Sequence, residues 1–165
     1  MAEPARYAWI EPERLAVAER PGGGGRTHRR ERRESEMAWW RAQGVEAVVS
    51  GMRTRHGLVE YALDGFRIAW RPLRDPAQGP QELAELVAAV EAQLELGSGA
   101  VLVHVDYANE WLAAVDAALR LSSGRASTVE EALTQAVADG LPIGPLAEGL
   151  LTGTPEDVKE AAGAV

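Results

Sequence analysis

The stretch of this chain with the residue types and spacing for chemistry is VLVHVDYANEW, from Val101 to Trp111. An apolar run ends in His104, and a helical pattern opens a few residues later. A turn between a strand and a helix N-terminus aims several backbone N–H groups at one point, where the helix dipole adds partial positive charge. Such a nest holds a phosphate or lowers the pKa of a thiol. The turn itself, Asp106–Asn109, contains no glycine, lysine, arginine or cysteine. It brings carboxylates instead: Asp106 and Glu110 are four residues apart, on one helix face. Together with Asp75 they form an oxygen-rich set of the kind Mg²⁺ or Ca²⁺ accepts. The competing role is capping and solvating the helix N-terminus, where acids are favourable. We expect the second role, with no metal and no cofactor.

The other chemistry-bearing residues narrow the field. His28, His56 and His104 lie far apart and lack metal-ligand spacing. We expect His104 to hydrogen-bond the backbone around the turn. Cysteine is absent altogether, which excludes disulfides, thiolate metal sites and cysteine nucleophiles. RTHRRERRESE concentrates arginine between Arg26 and Arg33, a pattern that suits anion or nucleic-acid binding. Glu31, Glu34 and Glu36 interleave with it, so a solvated helix face with internal ion pairs is the expected outcome. The net charge of −8 also argues against attraction to nucleic acid or anionic membranes. Lys159 is the only lysine among seventeen basic residues, a bias expected of a GC-rich, bacterial genome. No apolar stretch approaches the ~20 residues that span a bilayer. MAEPARYAWIEPERL lacks a signal-peptide core, so a cytoplasmic location is expected.

The elements that must position these residues follow from periodicity. One domain is expected over residues 1–165, with a core from about 7 to 140 and a C-terminal extension from 141 to 165. YAWIEPERLAVAER reads as two short strands with a turn at Pro12; Pro21–Gly25 is a loop. A helix with Met37 and Trp40 on its apolar side ends at Gly44. Trp39 and Trp40 are adjacent and cannot face the same core, so one is a candidate interface residue. VEAVVSG is a buried strand, HGLVEYALDG a short helix, and FRIAWRPL a strand with Phe66, Ile68 and Trp70 on one face. QELAELVAAVEAQLELG is a helix with Gly97 at its C-cap. AVLVHV is apolar throughout, as in a strand covered on both faces. Two helices follow, the second opened by a capping box of Ser127 and Glu130. LPIGPLAEGLLTG is apolar but broken by glycine and proline, suited to wrapping the domain edge or to a dimer contact, and a last helix begins at Thr154. The fold class is α/β: a central, mostly parallel sheet of about five strands flanked by helices.

The order of these segments resembles the compact dual-specificity branch of the cysteine-dependent protein phosphatases. The matching stretches are WIEPERLAVAERPG, WWRAQGVEAVVSGM, FRIAWRPLRD, ELVAAVEAQLELGSGAVLVHV and STVEEALTQAV, covering about Tyr7 to Val137. That family's signature is His-Cys, five residues, then Arg, with a glycine inside the loop and Ser or Thr and Gly after it. The thiolate attacks phosphorus, the arginine grips two phosphate oxygens, and an aspartate on an earlier loop protonates the leaving group. The resemblance places Asp75 at the general acid and His104 at the signature histidine. Val105 then stands for the cysteine, and Trp111 for the arginine. Asp106, Tyr107, Ala108, Asn109 and Glu110 fill the loop between, with Ala108 at the glycine. Leu112 and Ala113 replace the hydroxyl residue and the final glycine. Loss of a nucleophile alone removes on the order of 10⁶ in rate in a serine enzyme. Here clamp, glycine and hydroxyl are missing too, and Asp106 and Glu110 add repulsion. We therefore expect no phosphatase activity, with Val105 and Trp111 filling the old pocket with apolar volume.

The resemblance implies a catalytically inactive, dual-specificity-phosphatase-like protein, a pseudophosphatase, acting as a protein-interaction or regulatory module. Its expected partner is another protein, or a second copy of itself. One alternative is an enzyme or a ligand- or cation-binding protein using a remodelled pocket. A further one is anion or nucleic-acid binding through Arg26–Arg33.

Overall fold

The computed structural model describes residues 6–22 and 30–152. Along the chain run β1 (Tyr7–Glu11), β2 (Leu15–Glu19), α1 (Arg30–Ala42), β3 (Val45–Ser50), α2 (Leu58–Leu63) and β4 (Arg67–Trp70). A 3₁₀ turn (Pro76–Gln78) leads into α3 (Gly79–Leu96), followed by β5 (Ala100–Val105), α4 (Glu110–Ser122), α5 (Val129–Ala138) and α6 (Pro145–Thr152). The five strands form one sheet in the order β1-β2-β5-β3-β4. Only the β1–β2 pair is antiparallel; β2, β5, β3 and β4 are mutually parallel.

β5 occupies the middle of the sheet, and its composition explains why. All six of its residues are buried, as a strand covered on both faces requires. Alternation sends Val101, Val103 and Val105 to the face covered by α3, α4, α5 and α6. Ala100 and Leu102 go to the opposite face, where Trp40 of α1 and Tyr61 of α2 pack. Phe66, Ile68 and Trp70 join that second core, as their alternation requires. Trp40 is fully buried there, while Trp39 lies half-buried edge-on against Tyr7, with ring centroids 4.8 Å apart.

Three details depart from the sequence reading. The capping box opens one residue later than expected: Thr128 accepts from Glu131 N–H at 3.1 Å, and Glu131 accepts from Ser127 N–H at 3.0 Å. Both registers carry a hydroxyl followed three residues on by glutamate, so the pattern alone does not choose. Gly97 does cap α3, but in extended backbone. A β-carbon there would lie 2.6 Å from the Glu46 carboxylate, a contact that a shift of this flexible side chain relieves. Finally, LPIGPLAEGLLTG is no loose wrap: Pro145 opens α6, which packs on α3 and α4 and buries Ala147 and Leu150. The expected helix from Thr154, the 23–25 glycines, Arg26, His28 and Arg29 lie outside the described residues.

Candidate functional site

Ligands of open parallel sheets bind outside the carboxyl ends of the strands. At that edge there is a cleft of about 490 Å³. Arg20 follows β2; Gly51, Arg53 and Thr54 follow β3; Leu73 follows β4; Val105, Asp106, Tyr107, Asn109 and Trp111 come from the β5–α4 turn. The segments after β3, β4 and β5 are tied together by backbone hydrogen bonds. Gly51 N–H donates to His104 O at 2.8 Å, Arg71 N–H to Ser50 O at 2.8 Å and Leu73 N–H to Gly51 O at 3.1 Å. Gly51 admits this approach because a β-carbon would meet Val105, Leu86 and Leu73 side chains at 3.1–3.3 Å.

Val105 and Trp111 do not plug the cleft, contrary to expectation. Both line it and leave its volume open. The Trp111 indole is drawn to the start of α3, where a β-carbon on Gly79 would touch its ring at 3.5 Å. A six-membered ring packed on a glycine there leaves the space in front of Val105 empty.

The turn also hydrogen-bonds to itself. The Asn109 Oδ1 accepts from Trp111 N–H at 3.1 Å and Leu112 N–H at 3.3 Å. Asn109 N–H donates to Tyr107 O at 2.9 Å. The Asn109, Trp111 and Leu112 amides at this helix N-terminus are thus satisfied by the chain's own side chain and carbonyl. Ala108 packs toward the α3–α4 core, and Tyr107 is half exposed at the cleft.

The carboxylates are dispersed. Asp106 accepts from Arg53 N–H at 3.3 Å, Glu110 from Ala147 N–H at 3.2 Å and Asp75 from Ala77 N–H at 3.0 Å. Each serves a different backbone segment, and no group of three potential ligands occurs among the described residues. The cation set of Asp75, Asp106 and Glu110 is therefore not assembled. Asp75, placed at the general acid by resemblance, caps the 3₁₀ turn and is not among the residues lining the cleft.

His104 meets the backbone at Val105, as expected, but its ring packs on the side of the sheet away from the cleft. It lies on the α1–α2 face, fully buried, with ring centroids 5.7 Å from Tyr61 and 6.4 Å from Trp40. Neither ring nitrogen has a hydrogen-bond partner. Burial holds its pKa down at about 4, opposed only in part by the adjacent Val105 backbone. It does not line the cleft.

The described half of the arginine segment is only partly the solvated face expected: Arg30 and Glu34 are exposed, but Arg33 and Glu36 are buried, with Glu36 also accepting from Gly22 N–H at 3.0 Å. Arg30 pairs with Glu34 at 2.9 Å, Arg32 with Glu36 at 2.8 Å, and Arg33 lies 3.9 Å from Glu60. Sequence reasoning missed Arg20, Gly51, Arg53, Thr54 and Leu73. The available signal was positional: each follows a parallel strand at its carboxyl end.

With this geometry in hand, the comparisons with known proteins are informative. No family model matches the sequence, and no curated protein matches it. Solved structures do match. The crystal structure of human DUSP28 superposes with a TM-score of 0.64 at 20% identity, covering 98% of that chain and 99% of this one. Tk-PTP in its active form gives 0.66 at 18% identity over 99% of that chain and 98% of this one. PTPMT1 gives 0.66 at 17% identity over 99% of that chain and 96% of this one. The protein has the dual-specificity and tyrosine phosphatase fold, in a chain without any cysteine.

Proposed function

We propose that this protein is a pseudophosphatase, a dual-specificity-phosphatase-like protein without catalysis that acts as a protein-interaction or regulatory module in the bacterial cytoplasm. One observation carries the reading. At the turn where the resemblance puts thiolate, guanidinium and free amides, the chain has Val105, Trp111 and an Asn109 side chain that takes the Trp111 and Leu112 amides. Valine supplies no nucleophile, indole no anion clamp, and self-capped amides no oxyanion hole. What remains is a rigid frame with an open mouth, which suits recognition. The test is hydrolysis of para-nitrophenyl phosphate and a phosphotyrosine peptide between pH 5 and 8. Rates equal to buffer are expected. Turnover above buffer refutes the proposal.

The open cleft favours one second reading, a small-ligand site in the remodelled pocket. A thermal-shift panel of metabolites separates the two, since a ligand present at 100 times its Kd raises stability by about 2.7 kcal/mol.

A further inference from the structure

Four arginines stand on the two loops that frame the cleft; Arg53 lines it, and Asp106 is the carboxylate in that lining. Arg53 and Arg55 lie on the β3–α2 loop, and Arg71 and Arg74 flank Leu73 on the segment after β4. Several other arginines meet carboxylates: Arg67 faces Glu46 at 3.6 Å, Arg120 meets Asp116 at 2.8 Å and Asp139 at 2.6 Å, and Arg125 meets Glu11 at 3.3 Å. None of the four at the cleft has such a partner among the described residues. The nearby carboxylates bond the backbone and not the guanidinium groups. Glu82 accepts from Arg74 N–H at 2.6 Å, and Asp106 from Arg53 N–H at 3.3 Å. Arg55 and Arg74 share the Trp70 indole, their guanidinium carbons 4.6 and 5.9 Å from the ring centroid. Trp70 is itself fixed by its Nε1–H to Met52 O at 2.9 Å. Two cations held on one ring repel each other, and a bound anion relieves that repulsion.

We propose that this mouth docks an unphosphorylated acidic segment of a partner protein, an apolar side chain seated against Leu73, Val105 and Trp111 and its carboxylates on Arg53, Arg55, Arg71 and Arg74. The inference rests on the interaction-module reading and names the partner's chemistry. Leu73, Val105 and Trp111 give the cleft an apolar floor that suits a side chain better than a phosphate, and Asp106 in the lining keeps the partner's carboxylates out at the rim arginines. A concave floor fits a side chain, whereas a membrane surface is flat. The net charge of −8 disfavours nucleic acid and anionic lipid at long range and leaves this patch as a local exception.

The experiment titrates the full chain into a fluorescein-labelled peptide of glutamates flanking a central leucine, followed by anisotropy. Controls are the same peptide with lysines for glutamates, the peptide with phosphotyrosine for leucine, and phosphatidylserine vesicles. Binding of the acidic peptide is expected, weakening at least about tenfold from 50 to 500 mM salt. Arg53→Glu with Arg74→Glu should weaken it at least about tenfold while circular dichroism and Tm stay unchanged, and Tyr107→Ala should weaken it severalfold. No binding of the acidic peptide, equal binding of the lysine peptide, tighter binding of the phosphopeptide or vesicles, or indifference to charge reversal overturns the inference. The same samples are assayed with para-nitrophenyl phosphate. Hydrolysis removes the pseudophosphatase reading, whereas absent peptide binding without hydrolysis removes only the acidic-partner inference.

Discussion

The Glu110 carboxylate, at the first residue of α4, accepts a hydrogen bond from the backbone N–H of Ala147 at 3.2 Å, near the start of α6. A carboxylate at a helix N-terminus satisfies an orphan donor and meets the positive end of the dipole. Glu110→Ala should destabilise the protein by about 1 kcal/mol in urea unfolding, and Glu110→Gln, which keeps an acceptor, by less. Gly144 sharpens the test, because a β-carbon there would lie 2.7 Å from the same carboxylate oxygen. Gly144→Ala should therefore cost less in the Glu110→Ala background than in the wild type. Additive costs would show that the carboxylate does not hold α6.

A second prediction concerns a buried charge. Asp116 on α4 is fully buried; Arg120 reaches its Oδ1 at 2.8 Å and also Asp139 at 2.6 Å. Burial first, then the neighbouring Asp139, push the Asp116 carboxyl well above the usual carboxylate range. One guanidinium serves two acids, and Asp116 Oδ2 has no partner. The folded state thus holds a proton that the unfolded chain releases near pH 4. Its stabilising contribution is full below that pH and is lost as pH rises toward the elevated folded value. Asp116→Asn keeps an acceptor for Arg120 and removes the titration. Its urea stability relative to wild type should grow from pH 5 to pH 9, by at most about 1.4 kcal/mol per pH unit. A difference independent of pH would mean that Asp116 stays ionised throughout.

The fold was largely legible because its strands are short apolar runs and its helices periodic. AVLVHV reads as a central strand from composition alone, and β5 occupies that place. α6 was not legible. Gly144, Pro145 and Gly149 break any periodic pattern, and the helix rests on tertiary support from Glu110 and on burial of Ala147 and Leu150. The turn residues around Val105 were found, but their roles were not. Whether Asn109 caps its own helix, or Trp111 turns to Gly79, depends on neighbours distant in sequence. The arginines at the cleft come from two loops joined only by sheet pairing, so the conspicuous run at Arg26–Arg33 drew attention instead.

His104 should make the protein acid-sensitive. It titrates near 6.5 when unfolded, whereas burial holds it at about 4 in the fold. Folding favours the neutral ring. The contribution is full above pH 6.5 and disappears as pH falls through 4, amounting to at most about 3.4 kcal/mol. His104→Leu removes the titration along with two unpartnered nitrogens. It should match or exceed wild-type stability at pH 7 and gain relative to it between pH 6.5 and 4. Parallel stability curves over that range would mean that the imidazole finds water or a partner on protonation.

Restoring the thiol alone should not restore reactivity. Val105→Cys is close to volume-conserving at a buried position and should fold. A low-pKa thiolate needs cations or free amides at a helix N-terminus. Here Asn109 Oδ1 takes the Trp111 and Leu112 amides, and Asp106 stands next in the chain. The Val105→Cys thiol should titrate near or above 8.5, read from the pH dependence of its alkylation rate, with no hydrolysis of an aryl phosphate. Adding Asn109→Gly frees the two amides and should lower that value by about half a unit, the size of a dipole contribution of 0.3–1 kcal/mol. Hydrolysis should still be absent, because Trp111 offers no grip for the phosphate oxygens. A single-variant thiol titrating below 7, with measurable turnover, would mean that the turn keeps an intact oxyanion nest, and the case for a dead site would fail with it.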